Sequence, residues 1–367
     1  MLTGRVGLAR RNLLADRRRL GAGILGVGLA LMLVLLLDGL WAGVQRQATI
    51  YPDRVGAQLF VAQRGVADFL GESSTIPRAT VAEVQETPGV KWADPVRGQF
   101  VVFELHGKKV AAYVVGSVPG RHGGPWSLVS GRMVHADDEV VLDQALARRH
   151  GLDAGQTIEV GGYPLRVVGL ADASAPMTGF LFVTHSATDV LLRSPDTTSY
   201  VLVGTRDPGA VKARLERRGL TVFTRDELAD NDRELYTSIF GSVIKLMVAV
   251  AFVAGALVVG LTIYASVVER RREYGIVKAI GGSSRVIAGA VLRQSLALTA
   301  IGLLLGVVLF LAARALIAEL RPQFSIVLTT GGLLTGLAAA LLMALVASIV
   351  PARRVATAEP ASVYREH

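Results

Sequence analysis

The 367-residue chain has no cysteine, which excludes disulfides, thiolate nucleophiles and cysteine-ligated metal sites. Charge is scarce: 19% of residues against 51% hydrophobic, with a mean hydropathy of +0.45, too apolar for an ordinary soluble globule. No G-x-x-x-x-G-K-[ST] run occurs, and "ELHGKKV" lacks both the first glycine and the Ser/Thr, so these residues do not hydrolyse ATP by P-loop chemistry. The six histidines, at 106, 122, 135, 150, 185 and 367, form no i, i+4 pair and no H-E-x-x-H. No nucleophile–base–acid signature stands out either, so no catalytic residue, metal ligand or cofactor is assigned to this chain.

What is abundant is long apolar sequence. Residues 20–44 carry one charge, Asp38, while 246–264, 294–313 and 324–350 carry none. A bilayer core of about 30 Å takes roughly 20 helical residues, so each run is long enough to cross. The expected class is therefore a membrane α-helical protein with four transmembrane helices and an α+β extracytoplasmic domain inserted between the first and second. The expected spans are 20–44, 238–268, 286–317 and 326–350. A signal peptide is the rival reading of the first, but the run exceeds a typical h-region and "DGLWAGVQRQ" is a poor cleavage site, with Trp41 placed as an interfacial anchor.

The net charge of +9 is not spread evenly. Residues 45–237 hold 21 Lys/Arg and 23 Asp/Glu, a net of −2, so the surplus lies beside the spans. Segments 1–19, 269–285 and 351–367 are basic and by the positive-inside rule cytoplasmic, which puts both termini inside, 45–237 outside and 318–325 in a short outer loop. This distribution suits a plasma or inner membrane protein with the lipid bilayer as a partner, and argues against nucleic acid.

Within 45–237 the periodicity is that of a folded α+β domain, with a β-rich lobe over about 96–195. Strand pairs are expected around His106-Gly107 and Gly161-Gly162, and helices after Pro77 and from Asp207-Pro208 to Gly219. Before residue 20, "LARRNLLADRRRL" predicts a basic amphipathic helix over 1–19.

Several short motifs have bland readings that win. Gly21, Gly23 and Gly26 fit G-x-G-x-x-G but lack a preceding strand, so they read as helix-packing positions, as do Gly302/Gly306 and Gly332/Gly336, either within one protomer or between two copies. Ser242 and Lys245 form S-x-x-K without a companion K-T-G; Lys245, like Asp38 and Arg293, reads as a snorkelling side chain. Glu234 and Tyr236, just before the second span, and Met247 within it are the candidate substrate-binding residues, placed to meet a ligand entering from the outer leaflet.

The segment 269–285, "ERRREYGIVKAIGGSSR", is more than a connector. It interleaves Tyr274, Ile276 and Val277 with charges, breaks at Gly281-Gly282 and restarts with a serine cap, a pattern suited to docking a cytoplasmic partner.

These residues, the closing "PARRVATAEPASVYRE" and the outer stretch "EVVLDQALARRHGLDAGQTIEVGGYPLRVVGL" resemble the FtsX/MacB-type ABC transporter permeases, and the layout is similar to the stand-alone DevC/HrtB type. The resemblance implies a homodimer working with two copies of a separate ATPase subunit, which would bind ATP and Mg. It implies that Glu273, Tyr274, Gly275, Ile276, Val277, Lys278, Ala279 and Gly281 sit in a groove of that ATPase, whose closure tilts the helices and moves the outer domain by mechanotransmission. The cargo would be an amphipathic molecule such as a lipid, peptide, drug or haem. The alternative is an FtsX-like signalling subunit that activates an extracytoplasmic protein, a cell-wall hydrolase, without transport.

Overall fold

The computed structural model describes residues 17–175, 178–269, 273, 274, 276, 277, 283–322 and 324–357. The expected 1–19 amphipathic helix lies largely outside these residues, as does the tail beyond 357. The chain divides into two compact units, one of membrane helices and one formed chiefly by residues 43–241.

The membrane unit is built from α1 (Arg17–Ala48), with α7 (Arg225–Glu269), α8 (Ser284–Leu320) and α9 (Thr330–Thr357). Among the described residues, four helices are long and apolar enough to cross a membrane. Their shared core draws on all of them: Val27, Leu31 and Val34 of α1, Val259 and Ile263 of α7, Val291 and Leu298 of α8, and Met343 and Ala347 of α9. Large aliphatics such as Leu246, Leu257, Leu304 and Leu334 stay exposed, as expected where the surroundings are lipid tails rather than water.

The small residues decide how closely these helices approach. Gly302 and Gly306 of α8 lie against Val27, Gly28, Leu31 and Met32 of α1; Gly332 and Gly336 of α9 lie against Asp38 and Leu35; Gly23 and Gly26 face Thr262 and Val258 of α7. Both G-x-x-x-G pairs therefore pack within the protomer, and of the G-x-G-x-x-G glycines Gly23 and Gly26 are helix-packing positions whereas Gly21 meets no neighbour. α9 begins only at Thr330 although its apolar run starts at Phe324. The Thr329 hydroxyl accepts the Gly332 N–H at 2.8 Å and caps the helix, while Val327 N–H donates to Gly39 O at 3.0 Å and holds the preceding stretch along α1.

The extracytoplasmic unit is one mixed sheet of eleven strands among the described residues. Its long strand β3 (Val90–Leu105) pairs through its first half with β12 (Tyr200–Thr205) and through its second with β4 (Lys108–Ser117), so the expected 96–195 lobe shares a sheet with the elements that flank it. On one side the order runs through β12 to β1 (Leu59–Ala62) and β13 (Thr221–Thr224); on the other through β4 to β10 (Thr178–Thr184), β6 (Glu139–Asp143), β8 (Tyr163–Ala171) and β5 (Leu128–Gly131). β7 (Thr157–Val160) and β9 (Ser174–Ala175) are attached to β8 and β10, and β2 (Ile76–Pro77) pairs separately with β11 (Thr197–Thr198).

Local chemistry explains the connections. His106 and Gly107, with φ of 49° and 73°, make the β3–β4 turn, and Gly161 and Gly162, at 61° and 83°, make the β7–β8 turn. Five short helices complete the unit: α2 (Ile50–Arg54), α3 (Thr80–Gln85), α4 (Gln144–His150), α5 (His185–Leu191) and α6 (Pro208–Arg217). Asp143 caps α4 through Ala145 N–H and Gly151 ends it in the left-handed region; Asp207 caps α6, with Pro208 in its first turn. Two apolar clusters result. Val84 of α3 and Val211 and Leu215 of α6 pack on β1, β12 and β13, and Leu146 of α4 and Ala187 of α5 pack on β4, β6, β8 and β10. Strand alternation turns Tyr113, Phe180 and Phe182 to the opposite face, where Tyr51, Phe69 and Trp126 join them.

Glu139 ties β6 to its neighbours. It is buried, accepts from Arg132 at 2.7 Å and Arg166 at 2.9 Å, and its carboxyl is lowered to about 2, chiefly by the Arg132 hydrogen bonds.

The glycine contacts can be tested directly. A side chain at Gly306 meets Gly28 O at 3.0 Å and Met32 N at 3.2 Å, backbone atoms that cannot swing aside, whereas one at Gly21 meets nothing within 4 Å. Gly306→Leu is expected to destabilise the bundle by about 1–3 kcal/mol and Gly21→Leu to leave it near neutral, measured by thermal unfolding in detergent.

Candidate functional site

Four residues of the expected coupling segment are described, Glu273, Tyr274, Ile276 and Val277, and all are helical. Gly275, Lys278, Ala279 and Gly281 lie outside the described residues. Glu273 and Ile276 are three positions apart and both exposed, Ile276 by 48%; Tyr274 and Val277, also three apart, are half-buried against the four-helix core. The segment thus has an inner edge fastened to the bundle and an outer edge offering an acid and an aliphatic side chain.

The candidate substrate residues separate. Glu234 is exposed, whereas Tyr236 is 8% exposed and stacks on Phe240 with ring centroids 6.2 Å apart. Two positions apart on one helix, they are about 200° apart around its axis and face different ways. Met247 is 47% exposed. The three are not brought to one site. Lys245 and Arg293 are exposed, the latter bonded to Gly289 O at 3.0 Å. Asp38 lies against Gly332 in the first turn of α9, where a carboxylate suits the positive end of the helix dipole.

The extracytoplasmic unit has a cleft of about 180 Å³ lined by Lys109, Asp143, Arg149, His150 and Thr178 over an apolar floor. His150 is held below its ordinary value by burial and then by Arg149, His106 and Lys108, so the field there is positive. A second polar cluster gathers at α5 and the stretch after it, with Arg78 following β2 and Arg97 on β3. Arg78 donates to Nδ1 of the buried His185 and to Asp189 at 3.1 Å, and Arg97 donates to Ser194 O at 2.8 Å. His185 is pushed down to about 4 by burial and by the two arginines, so the imidazole is neutral and acts as a fixed acceptor.

Comparison with known proteins gives this geometry a context. A family profile described as the MacB-like periplasmic core domain matches residues 21–218, and one described as the FtsX-like permease C-terminal matches 245–360. The chain belongs to the MacB/FtsX-type ABC transporter permeases. An uncharacterised ABC transporter permease of Mycobacterium tuberculosis strain H37Rv is 29% identical over 361 residues, covering 97% of this chain and 98% of that one. The macrolide export ATP-binding/permease protein MacB of Agrobacterium fabrum is 26% identical over 370 residues, and the pyoverdine export ATP-binding/permease protein PvdT of Pseudomonas syringae pv. tomato is 24% identical over 383. The chain covers 56% and 58% of the length of these last two.

The second match includes residues 269–285. Between the two matched regions lies 219–244, and there the structure shows a residue that sequence reasoning missed. Asp232 is fully buried, with Leu228, Ala229 and Tyr236 on the same face of α7. The signal was available: an acid at i+3 and i+4 from two apolar residues and i−4 from a tyrosine occupies a core position.

Removing one cation from the cleft should be visible at His150. Arg149→Gln is expected to move the His150 titration upward, short of the ordinary imidazole range because burial remains; histidine C–H shifts followed by NMR across neutral pH check this.

Proposed function

We propose that this permease couples ATP hydrolysis by a separate ATPase subunit to export or extraction of an amphipathic substrate. The observation that carries the reading is the two-edged coupling segment. Tyr274 and Val277 are half-buried against the core shared by all four spans, so a force applied at Glu273 and Ile276 reaches the bundle through them. Gly275, Lys278, Ala279 and Gly281 complete the proposed contact with the ATPase, which supplies the ATP and Mg site. The basic segments 1–19, 269–285 and 351–367 support placing both termini and this contact in the cytoplasm. Two permease copies with two ATPase copies form the proposed assembly in the plasma or inner membrane.

Export is supported by relatives named for macrolide and pyoverdine export. Lipid, peptide, drug and haem share the chemistry such a machine would take, an apolar body with a polar group. Glu234 and Met247 are proposed to contact it from exposed positions on α7, with Tyr236 acting from its stacked place beside Phe240. For haem the observable is direct: purified protein exposed to haem should hold it with a shifted Soret band, and an unshifted spectrum removes haem from the set.

The coupling assignment has its own test. Ile276→Arg, at the 48% exposed aliphatic position of the outer edge, is expected to leave thermal stability in detergent unchanged and abolish co-purification with the cognate ATPase. Recovery of the ATPase at the normal ratio would refute the assignment.

A further inference from the structure

We propose that Asp232 positions the extracytoplasmic end of α7 against the sheet, acting as a proton-operated latch on the 67–72 loop. The coupling role of this latch rests on the proposed function; the latch itself does not.

Asp232 lies outside the membrane-spanning part of α7. The helix opens with Arg225, Asp226, Glu227, Asp230, Asp232, Arg233 and Glu234, and its uncharged run begins 14 residues after Asp232, at Leu246, about 21 Å along the axis. The residue belongs to the compact unit that contains the sheet.

Its carboxyl is 0% exposed, and Oδ1 accepts the N–H groups of Phe69 at 2.9 Å and Leu70 at 3.1 Å. Oδ2 is buried with no hydrogen-bond partner among the described residues. The same loop is held at several other points. Asn231 donates to Ala67 O at 2.7 Å, Tyr200 of β12 to Asp68 O at 2.6 Å and Tyr113 of β4 to Phe69 O at 2.6 Å, while Phe69 stacks on Tyr51 with centroids 4.3 Å apart. The loop is a wedge with the helix on one side and two central strands on the other. Asp232 and Asn231 are its fastening to the helix.

The groups facing this carboxyl are acids and phenols. Asp68 and, behind it, Glu72 come from the loop, Tyr113 from β4, Tyr200 from β12 and Tyr236 from α7. Arg233 on the same helix is paired with Asp230. Burial raises Asp232 to about 8, against the lowering effect of the Leu70 and Phe69 N–H bonds and with a further rise from Asp68. Its folded value therefore lies above the ordinary carboxylate value. The stability it contributes is fully present in acid, falls as pH rises above about 4 and is gone above about 8. Below that point the latch is a neutral acid. Above it, a buried charge faces Asp68 with one oxygen bare, which favours release of the loop.

Neither family match covers residue 232, so the latch is a property read from this chain. The cysteine-free sequence suits its test, because Ser73→Cys and Ser238→Cys place spin labels at two exposed sites, one beside the loop and one on α7. Electron–electron distances are measured on full-length protein in lipid nanodiscs, without ATPase or substrate, from about pH 6 to about pH 9. The distribution is expected to be narrow in acid and to lose its narrow component as pH passes about 8. Asp232→Asn, a neutral isostere, is expected to stay narrow throughout, and Asp232→Ala to be broad throughout. A pH-invariant distribution in the parent, broadening of Asp232→Asn like the parent, or a narrow Asp232→Ala would overturn the latch. Because no ATPase takes part, such a result leaves the transport reading to its own tests.

Discussion

The close approach of α8 to α1, where Gly306 lies beside the backbone of Gly28 and Met32, is the contact on which the membrane unit depends. Between helices in lipid there is no water to expel, so association rests on dispersion contacts that need backbones near one another. α1 supplies that proximity on several sides: Gly23 and Gly26 receive α7, Gly28 receives α8, and Leu35 and Asp38 fill the space left by Gly336 and Gly332 of α9. With the three later spans packed on one helix, a push on any of them is resisted or shared by the others. That is the behaviour a bundle needs if it is to move as a body rather than open helix by helix.

The extracytoplasmic sheet meets a comparable demand through β3. A strand that pairs β12 over its first half and β4 over its second joins two apolar clusters without a linker between them. On the opposite face, the aromatic layer of Tyr51, Phe69, Tyr113 and Phe180 anchors α2 and the 67–72 loop. Most phenols in this layer spend their hydroxyls on loop carbonyls, Tyr113 on Phe69, Tyr200 on Asp68 and Tyr51 on Gly123, so it is satisfied as well as packed.

What was legible in the sequence was what is local. The four apolar runs, the Asp207-Pro208 helix start, and the Gly161-Gly162 and His106-Gly107 turns each follow from a few adjacent residues. The alternation of charge and apolar residues in 269–285 was legible for the same reason, and its described part has two edges, Glu273 with Ile276 and Tyr274 with Val277. The sheet order was not, because the parallel pairing of β4 with β10 and of β6 with β8 depends on contacts distant in the chain. Neither was the start of α9, since composition from Phe324 onward is uniformly apolar and the boundary is set by the Thr329 cap. Polarity places Glu234 and Tyr236 together in the sequence, while helical phase exposes the acid and buries the tyrosine.

The polar groups inside the bundle bear on what kind of machine this is. Among the described residues of the spans, Ser295 donates to Ala344 O at 2.9 Å, Thr299 to Ser295 O at 2.9 Å, Ser348 to Leu345 O at 2.8 Å and Thr262 to Val258 O at 2.7 Å. Each hydroxyl is committed to a backbone carbonyl, three of them on their own helix. A hydrophilic solute crossing the interior of one protomer would lose its hydration and find these donors already engaged, a cost of several kcal/mol per unpaired group. The bundle interior is thus built to hold helices together rather than to conduct. In the proposed coupling, work delivered at Glu273 and Ile276 has its outlet in displacement of the helices rather than in opening a polar path through one protomer.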